Sequence, residues 1–451
     1  MRNFLYKAFD KSYLILAPAI LLTYFVPIRM RVGPIMIVPF VVMWLIAVFI
    51  RGERCERVFT RKFLAFFVPL ALFSFFRSFL AGLHEYDKVP LLRHIQYNGL
   101  VCIYLYIFHY TVSRFKIKEL RFLNVIILIS LAFGCFAGMS MDIGSYRNIS
   151  TVAGTARETM MDTIERLEYA SSGVSNYGDV YAMVFIIVGL MSVTRYCKIK
   201  WKFFYIALSL LFFYGIYKAA FSTGLAVALA TGMFVLLMRL CKLKGRSFKV
   251  FLGLFAICFV LAVAFPVVLS PFSWMLKALA HVFEPISYEY SLRLMSVAEA
   301  TSGFKDTYAM YRAELYWNSL DIFIHRPIYG YRLNQILFDF DNEMRMLGHS
   351  YFFDSLAMGG MVLGGLLFAG IYKFTQYLKY AYERAGMSSD LLDGWFGATS
   401  AIFIVACINQ IDIFNILIGY LFVVPSIPFF NNRQNMFPMR SGQVNGMVCY
   451  G

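Results

Sequence analysis

Long apolar stretches recur from one end of the chain to the other, most of them near the length that crosses a bilayer as a helix. They fall at 13–27, 33–50, 63–82, 94–113, 121–141, 177–194, 201–217, 219–238, 250–275, 350–372, 393–412 and 414–429. The last is short, and the turn between 201–217 and 219–238 is very tight. The short alternating segments of a membrane β-barrel do not occur. The expected fold is therefore all-α: a polytopic inner-membrane protein of about 12 transmembrane helices. Two polar segments on one side are long, 142–176 and 276–349, and the second separates helices 9 and 10. Tyr311, Leu315, Leu320 and Phe323, with Trp317, make an amphipathic pattern in it, so this loop is expected to be partly helical. The run from Thr155 to Leu167 has a helical period too. The chain divides into helices 1–9 with the smaller loop (1–275), the large loop (276–349), helices 10–12 (350–429) and a polar tail (430–451).

Composition agrees: 60% of residues are hydrophobic and 15% charged, which excludes an ordinary soluble domain. The net charge of +16 raises nucleic acid as a partner, but no nucleic-acid motif is present. Its distribution explains it better. With the N-terminus inside, 26 of the 42 Lys and Arg fall in the shorter inside segments and 15 outside, with Arg77 within a span. The positive-inside tendency then places both termini in the cytoplasm and both long loops, including the candidate site, in the periplasm. Arg2, Lys7 and Lys11 precede an apolar run with no small-residue cleavage site after it, so the first helix is expected to be retained. None of the eight cysteines lies in an expected external loop, and no metal-ligand spacing is present, so neither a structural disulfide nor a bound metal is expected.

The stretch from Tyr311 to Gly365 concentrates the candidate chemistry. External arginines run against the positive-inside tendency, and a guanidinium fork matches phosphate oxygens. The large loop carries Arg293, Arg312, Arg326, Arg332 and Arg345; the smaller one carries Arg147, Arg157 and Arg166. Taken singly, most read as solvated or headgroup-bound; Arg312, on the amphipathic helix with Trp317, stands out. His349, where the polar loop meets the tenth span, suits a general base near neutral pH. Gly359, Gly360, Gly364 and Gly365 read as helix-packing residues. Asp339 and Asp341 form a DxD pair that reads best as a solvated loop; His84, Glu85 and Asp87 are a weak alternative acidic site. Arg77, Asn98, Asp179 and Lys218 are polar groups in or at the ends of spans, equally suited to lining a cavity or to pairing between helices.

Together, Arg312 with Trp317, His325-Arg-Pro-Ile-Tyr-Gly330, and Gly348-His349-Ser350 leading into a glycine-bearing helix resemble the core of the bacterial O-antigen polymerase/O-antigen ligase superfamily. Arg166 with Gly173-Val-Ser-Asn176, and Ser222-Thr-Gly224, resemble other parts of it. The resemblance covers roughly 145–372. It departs at Arg332, where the turn usually has a second glycine, at Thr223, which replaces an arginine, and at Leu363, where the ligase pattern has a small residue. It implies a glycosyltransferase of the GT-C type, inverting, without metal or cofactor, acting on undecaprenyl-diphosphate-linked glycans. On that basis Arg312 binds the donor diphosphate and His349 deprotonates or orients the acceptor. Arg166, Arg293, Arg326 and Arg332 are the further diphosphate or substrate contacts. The implied partners are membrane lipids, a polysaccharide chain-length regulator and a flippase, and no nucleic acid.

The departures weigh more against a ligase than against a polymerase that joins repeat units. A carrier or flippase for lipid-linked oligosaccharide is the reading from another class. It would be expected to show inverted repeats and broken helices and no large external loop. No repeat is visible in the sequence, and the loop is present.

Overall fold

The computed structural model describes residues 60–82, 91–115, 117–139, 177–193, 199–218, 270–285, 288–303, 308–331, 350–386, 392–408 and 419–430, with a few isolated positions besides. Among the described residues the regular structure is helical throughout, with no strand. In chain order the helices are α1 (Arg61–Gly82), α2 (Leu91–Tyr110), α3 (Leu120–Met139), α4 (Tyr177–Val193) and α5 (Ile199–Lys218), then α6 (Ser273–Phe283), α7 (Tyr288–Thr301), α8 (Tyr308–His325), α9 (Tyr351–Arg384) and α10 (Leu392–Ile408). A π-turn over Thr111–Phe115 and a 3-10 turn over Ile117–Glu119 join α2 to α3. A further π-turn and 3-10 segment run from Gly419 to Phe430.

Among the described residues, three helices are long and apolar enough to cross a membrane: Arg61–Leu80, Ile199–Tyr217 and Tyr351–Arg384. They carry large apolar side chains on the outside, with Phe75, Phe76 and Phe79 on α1 and Phe203, Phe204 and Leu210 on α5 all exposed. Water would penalise such a surface and a bilayer does not. α4 behaves oppositely: every residue from Tyr181 to Leu190 except Gly189 is a buried large or small apolar side chain, because α5, α10 and the Gly419–Phe430 segment surround it. These are the features of a membrane-spanning helical protein. The amphipathic helix expected around Tyr311–Phe323 is α8. The loop segments 142–176 and 332–349, and most of the spans 13–27, 33–50, 219–238 and 250–275, lie outside the described residues.

The tenth span differs from expectation. A straight helix would hold Phe352 and Phe368 about 24 Å apart, yet their ring centroids are 6.1 Å apart. Leu356 likewise reaches Gly364 across what would be more than two turns. The chain reverses at Gly360, whose φ of 56° and ψ of −149° interrupt the helix. α9 is thus a hairpin with a short arm, 351–359, folded onto a long arm, 361–384. The long arm alone has the length to cross a bilayer core of about 30 Å.

What occupies the bend explains it. The turn after α8, Pro327-Ile-Tyr-Gly330, inserts there. Pro327 O accepts from Met361 N at 2.7 Å and Ile328 O from Val362 N at 3.3 Å. Those are the first amide donors of the long arm, which the break leaves without partners inside the helix. Both glycines are needed. Gly330 also has positive φ, 66°, and a Cβ on it would stand 2.5 Å from Gly359 N. A Cβ on Gly360 would collide with the backbone of Ile328. Gly360 is therefore a chain-reversal residue rather than the helix-packing residue its sequence context implied.

α1 and α10 flank this hairpin. α1 runs antiparallel to the long arm. Lys62 Nζ lies 3.2 Å from the centroid of the Tyr380 ring, Phe66 meets Phe374 and Tyr377 edge-on at 5.1 and 5.0 Å, and Leu70 abuts Gly370. Farther along, α1 leaves the long arm and meets the short arm, with Phe73 near Tyr351. α10 runs antiparallel to the long arm on another side, through Trp395 on Phe374 and Phe403 stacked on Phe368.

Gly360→Ala and Gly330→Ala are each expected to destabilise the protein by at least about 1–3 kcal/mol, from positive φ alone. Thermal unfolding of the purified variants in detergent measures this. Gly365→Ala, at a position open to space, should unfold like the parent.

Candidate functional site

The candidate site is built where α8, the short arm of α9, the C-terminal half of α1 and the end of α10 meet. The short arm begins with a side-chain cap. Ser350 is its N-cap, in extended conformation, and its Oγ accepts from Phe353 N at 3.1 Å. The same hydroxyl donates to Ala406 O at 3.0 Å, tying the cap to α10. One turn on, Asp354 reaches back and its Oδ2 accepts from Ser350 N at 3.2 Å. Its other oxygen accepts from Ser319 Oγ of α8 at 2.8 Å. Asp354 is only 2% exposed, a carboxylate flanked by the members of a hydrophobic cluster, aromatic and aliphatic. Burying it is tolerable because both oxygens are hydrogen-bonded.

α8 is fixed against the short arm at three levels. Tyr316 Oη donates to Ile408 O at 2.6 Å and its ring lies 6.0 Å from that of Phe353. Ser319 meets Asp354, and the Pro327–Gly330 turn enters the bend at Gly360. These contacts follow one another in the same order along both elements, so α8 and the short arm run parallel. Opposite α8, α1 supplies Arg77, half-buried. Its Nε donates to Ser355 Oγ at 3.0 Å and its guanidinium carbon stands 3.7 Å from the centroid of the Tyr351 ring. Tyr351 Oη is buried and makes no hydrogen bond among the described residues.

Of the residues singled out from the sequence, Arg312 lies on α8 at i, i+4, i+7 spacing with Tyr316 and Ser319. Its backbone position therefore shares the face that meets the start of α9; its side chain lies outside the described residues. His349 lies outside them as well, and Ser350, the cap that follows it in sequence, is fixed. Arg326 follows the last residue of α8, half-buried, with its guanidinium 5.3 Å from the centroid of the Tyr331 ring beside the bend. Arg293 is half-buried on α7. Arg166 and Arg332 lie outside the described residues, as do Arg147, Arg157, Arg345, Asp339, Asp341 and the group at His84–Asp87. Asn98, Asp179 and Lys218 have helical backbones, and their side chains lie outside the described residues.

Sequence reasoning missed Asp354, Ser319 and Tyr316, and left the role of Arg77 open. The signal for Asp354 was present: it is a lone carboxylate in the run Tyr351–Leu356, and intramembrane acids are rarely incidental. Nothing in the sequence pointed to Ser319. No group of three His, Cys, Asp or Glu side chains that could hold a metal ion occurs among the described residues. No protein-family model, curated protein or solved structure matches the chain.

Removing one partner of the Asp354 network is expected to be costly. Ser319→Ala should destabilise the protein by about 1–3 kcal/mol, because it strips a buried carboxylate oxygen of its donor. Asp321→Ala breaks only a solvent-exposed contact with His325 at 3.4 Å, and should cost less than about 0.5 kcal/mol. Parallel denaturation curves of the two variants compare them directly.

Proposed function

We propose that the protein is an O-antigen, or related surface polysaccharide, polymerase that joins undecaprenyl-diphosphate-linked repeat units at the periplasmic face of the inner membrane. In this reading Arg312 binds the diphosphate of the donor. His349 takes the proton from the acceptor hydroxyl as its oxygen attacks the anomeric carbon from the opposite face. The bond from that carbon to the diphosphate oxygen breaks. Undecaprenyl diphosphate leaves with the electron pair, and the guanidinium balances the developing charge. The bond already present in the lipid-linked donor supplies the free energy, so no nucleotide is consumed.

The observation that carries this reading is the clamp between α8 and the start of α9. The element bearing Arg312 is held beside the cap that follows His349 by the Ser319–Asp354 hydrogen bond, the Tyr316–Phe353 ring contact and the turn in the bend. A transferase needs its charge-stabilising group and its base on elements that do not drift apart, and buried hydrogen bonds between those elements serve that need. The antiparallel packing of α1 and α9 adds support, since the expected topology sends the third and tenth spans in opposite directions.

A second reading draws on the reversal at Gly360. Broken helices with backbone groups satisfied by another segment are a hallmark of carriers, so a flippase for lipid-linked oligosaccharide has one observation in its favour. A ligase that moves finished polymer onto lipid A core shares all the chemistry above. Deletion in the native host separates the three by gel analysis of lipopolysaccharide. Core bearing one repeat unit is the expected result for a polymerase. Bare core with polymer stranded on its lipid carrier indicates the ligase. Repeat units that accumulate on the cytoplasmic side indicate the flippase.

Arg312→Ala and His349→Ala are each expected to abolish long polymer while the protein still reaches the membrane in normal amount. Immunoblotting of membranes beside the same gels tests this. Normal chain length in both variants would remove the proposed site.

A further inference from the structure

The far end of the same helices holds a second feature. About 22 Å along α1 from Arg77, a cavity of about 500 Å³ opens between the start of α1, the end of α2 and the end of α9. Three cations line it: Arg61 and Lys62 from the first turn of α1, and Arg384 from the last turn of α9. All three are exposed, so they stand at the mouth. The interior is made by different chemistry. His109 is 2% exposed, stacks on Phe63 at 4.3 Å, and shares a hydrogen bond of 2.8 Å with Tyr377 Oη. Ser113 adds a second hydroxyl, and Val112, Ile117 and Ala381 supply apolar wall.

No Asp or Glu is among the described residues that line this cavity. Glu383, the nearest in sequence, is engaged with Lys379 at 3.9 Å instead. Lys62 is steadied over the Tyr380 ring, which orients its ammonium and leaves its charge intact. Among the described lining residues three cations and no carboxylate share this cavity, and a doubly or singly charged oxyanion offsets the mutual repulsion of the cations. Guanidinium pairs favour phosphate geometry in particular. The apolar wall behind them suits an esterified phosphate better than a bare ion.

We propose that this cavity binds a phosphate group at the end of the bundle away from the α8–α9 site, either the phosphodiester headgroup of an anionic phospholipid or a soluble phosphate. The site is independent of the transferase reading, since it shares no residue with it.

The test titrates purified full-length protein in detergent with three probes: short-chain phosphatidylglycerol, short-chain phosphatidylcholine and inorganic phosphate. The readout is the thermal unfolding midpoint. A saturable rise with phosphatidylglycerol and none with phosphatidylcholine is expected. In the Arg61→Gln/Arg384→Gln variant the half-saturating concentration should rise by at least about tenfold, as expected for losing two charge-assisted contacts. The Arg61→Lys/Arg384→Lys variant keeps the charges and should still respond. If inorganic phosphate gives the same rise and competes with phosphatidylglycerol, the ligand is a soluble phosphate; if only phosphatidylglycerol acts, it is the lipid. Should the double Gln variant not fold, Lys62→Gln, at an exposed position, is read in the same titration. A Gln variant that responds like the parent, or a parent that responds to neither anion, would overturn the proposal.

Discussion

Two backbone hydrogen bonds hold the centre of this architecture. At Gly360 the chain turns back on itself within what would otherwise be a continuous helix. The first amides of the new arm need acceptors, and an apolar surrounding offers none. Pro327 and Ile328 supply them. An unsatisfied amide in such a setting costs several kcal/mol, so the bend and the turn that fills it can only form together. The position of α8, the parallel run of α8 beside the short arm, and the meeting of Ser319 with Asp354 all depend on that joint closure.

The bend also changes what α1 can do. Against a straight α9, Arg77 would face only the continuation of the long arm. With the short arm folded down, Arg77 finds Ser355 and the face of Tyr351 instead. A half-buried cation in an apolar helix thus gains a hydrogen bond and an aromatic ring. Asp354 finds Ser319 and the Ser350 amide in the same space. The polar groups of the candidate site are partners by virtue of one chain reversal, which is why changes at Gly330, though it carries no functional group, reach into the site.

Two ends of the bundle then differ in kind. At the bend, charged groups are paired inward and the cluster around them is hydrophobic, part aromatic and part aliphatic. At the other end, Arg61, Lys62 and Arg384 gather around an open cavity whose floor is His109 and Tyr377. The same pair of antiparallel helices, α1 and the long arm of α9, connects the two, and the bulky contacts between them, Phe66 with Phe374 and Leu70 with Gly370, leave little freedom to slide.

Hydrophobic run length and period were enough, without any structure, to call for an all-helical membrane chain and to place α1 to α5, α8 and α10 within a few residues. Those properties are local: burial of apolar surface and backbone pairing within a helix need no knowledge of neighbours. The Pro327–Gly330 turn entered only through the family resemblance. The reversal at Gly360 was not legible. Four glycines in one span fit close helix packing as well as a break, and what separates the two is whether distant carbonyls arrive to satisfy the freed amides. Asp354 was visible as an isolated acid, but its partner Ser319 lies in another helix at a spacing no periodicity encodes. Helix identity came from the sequence; which polar groups meet, and on which side of a bend, was decided only when tertiary contacts supplied the missing hydrogen-bond partners.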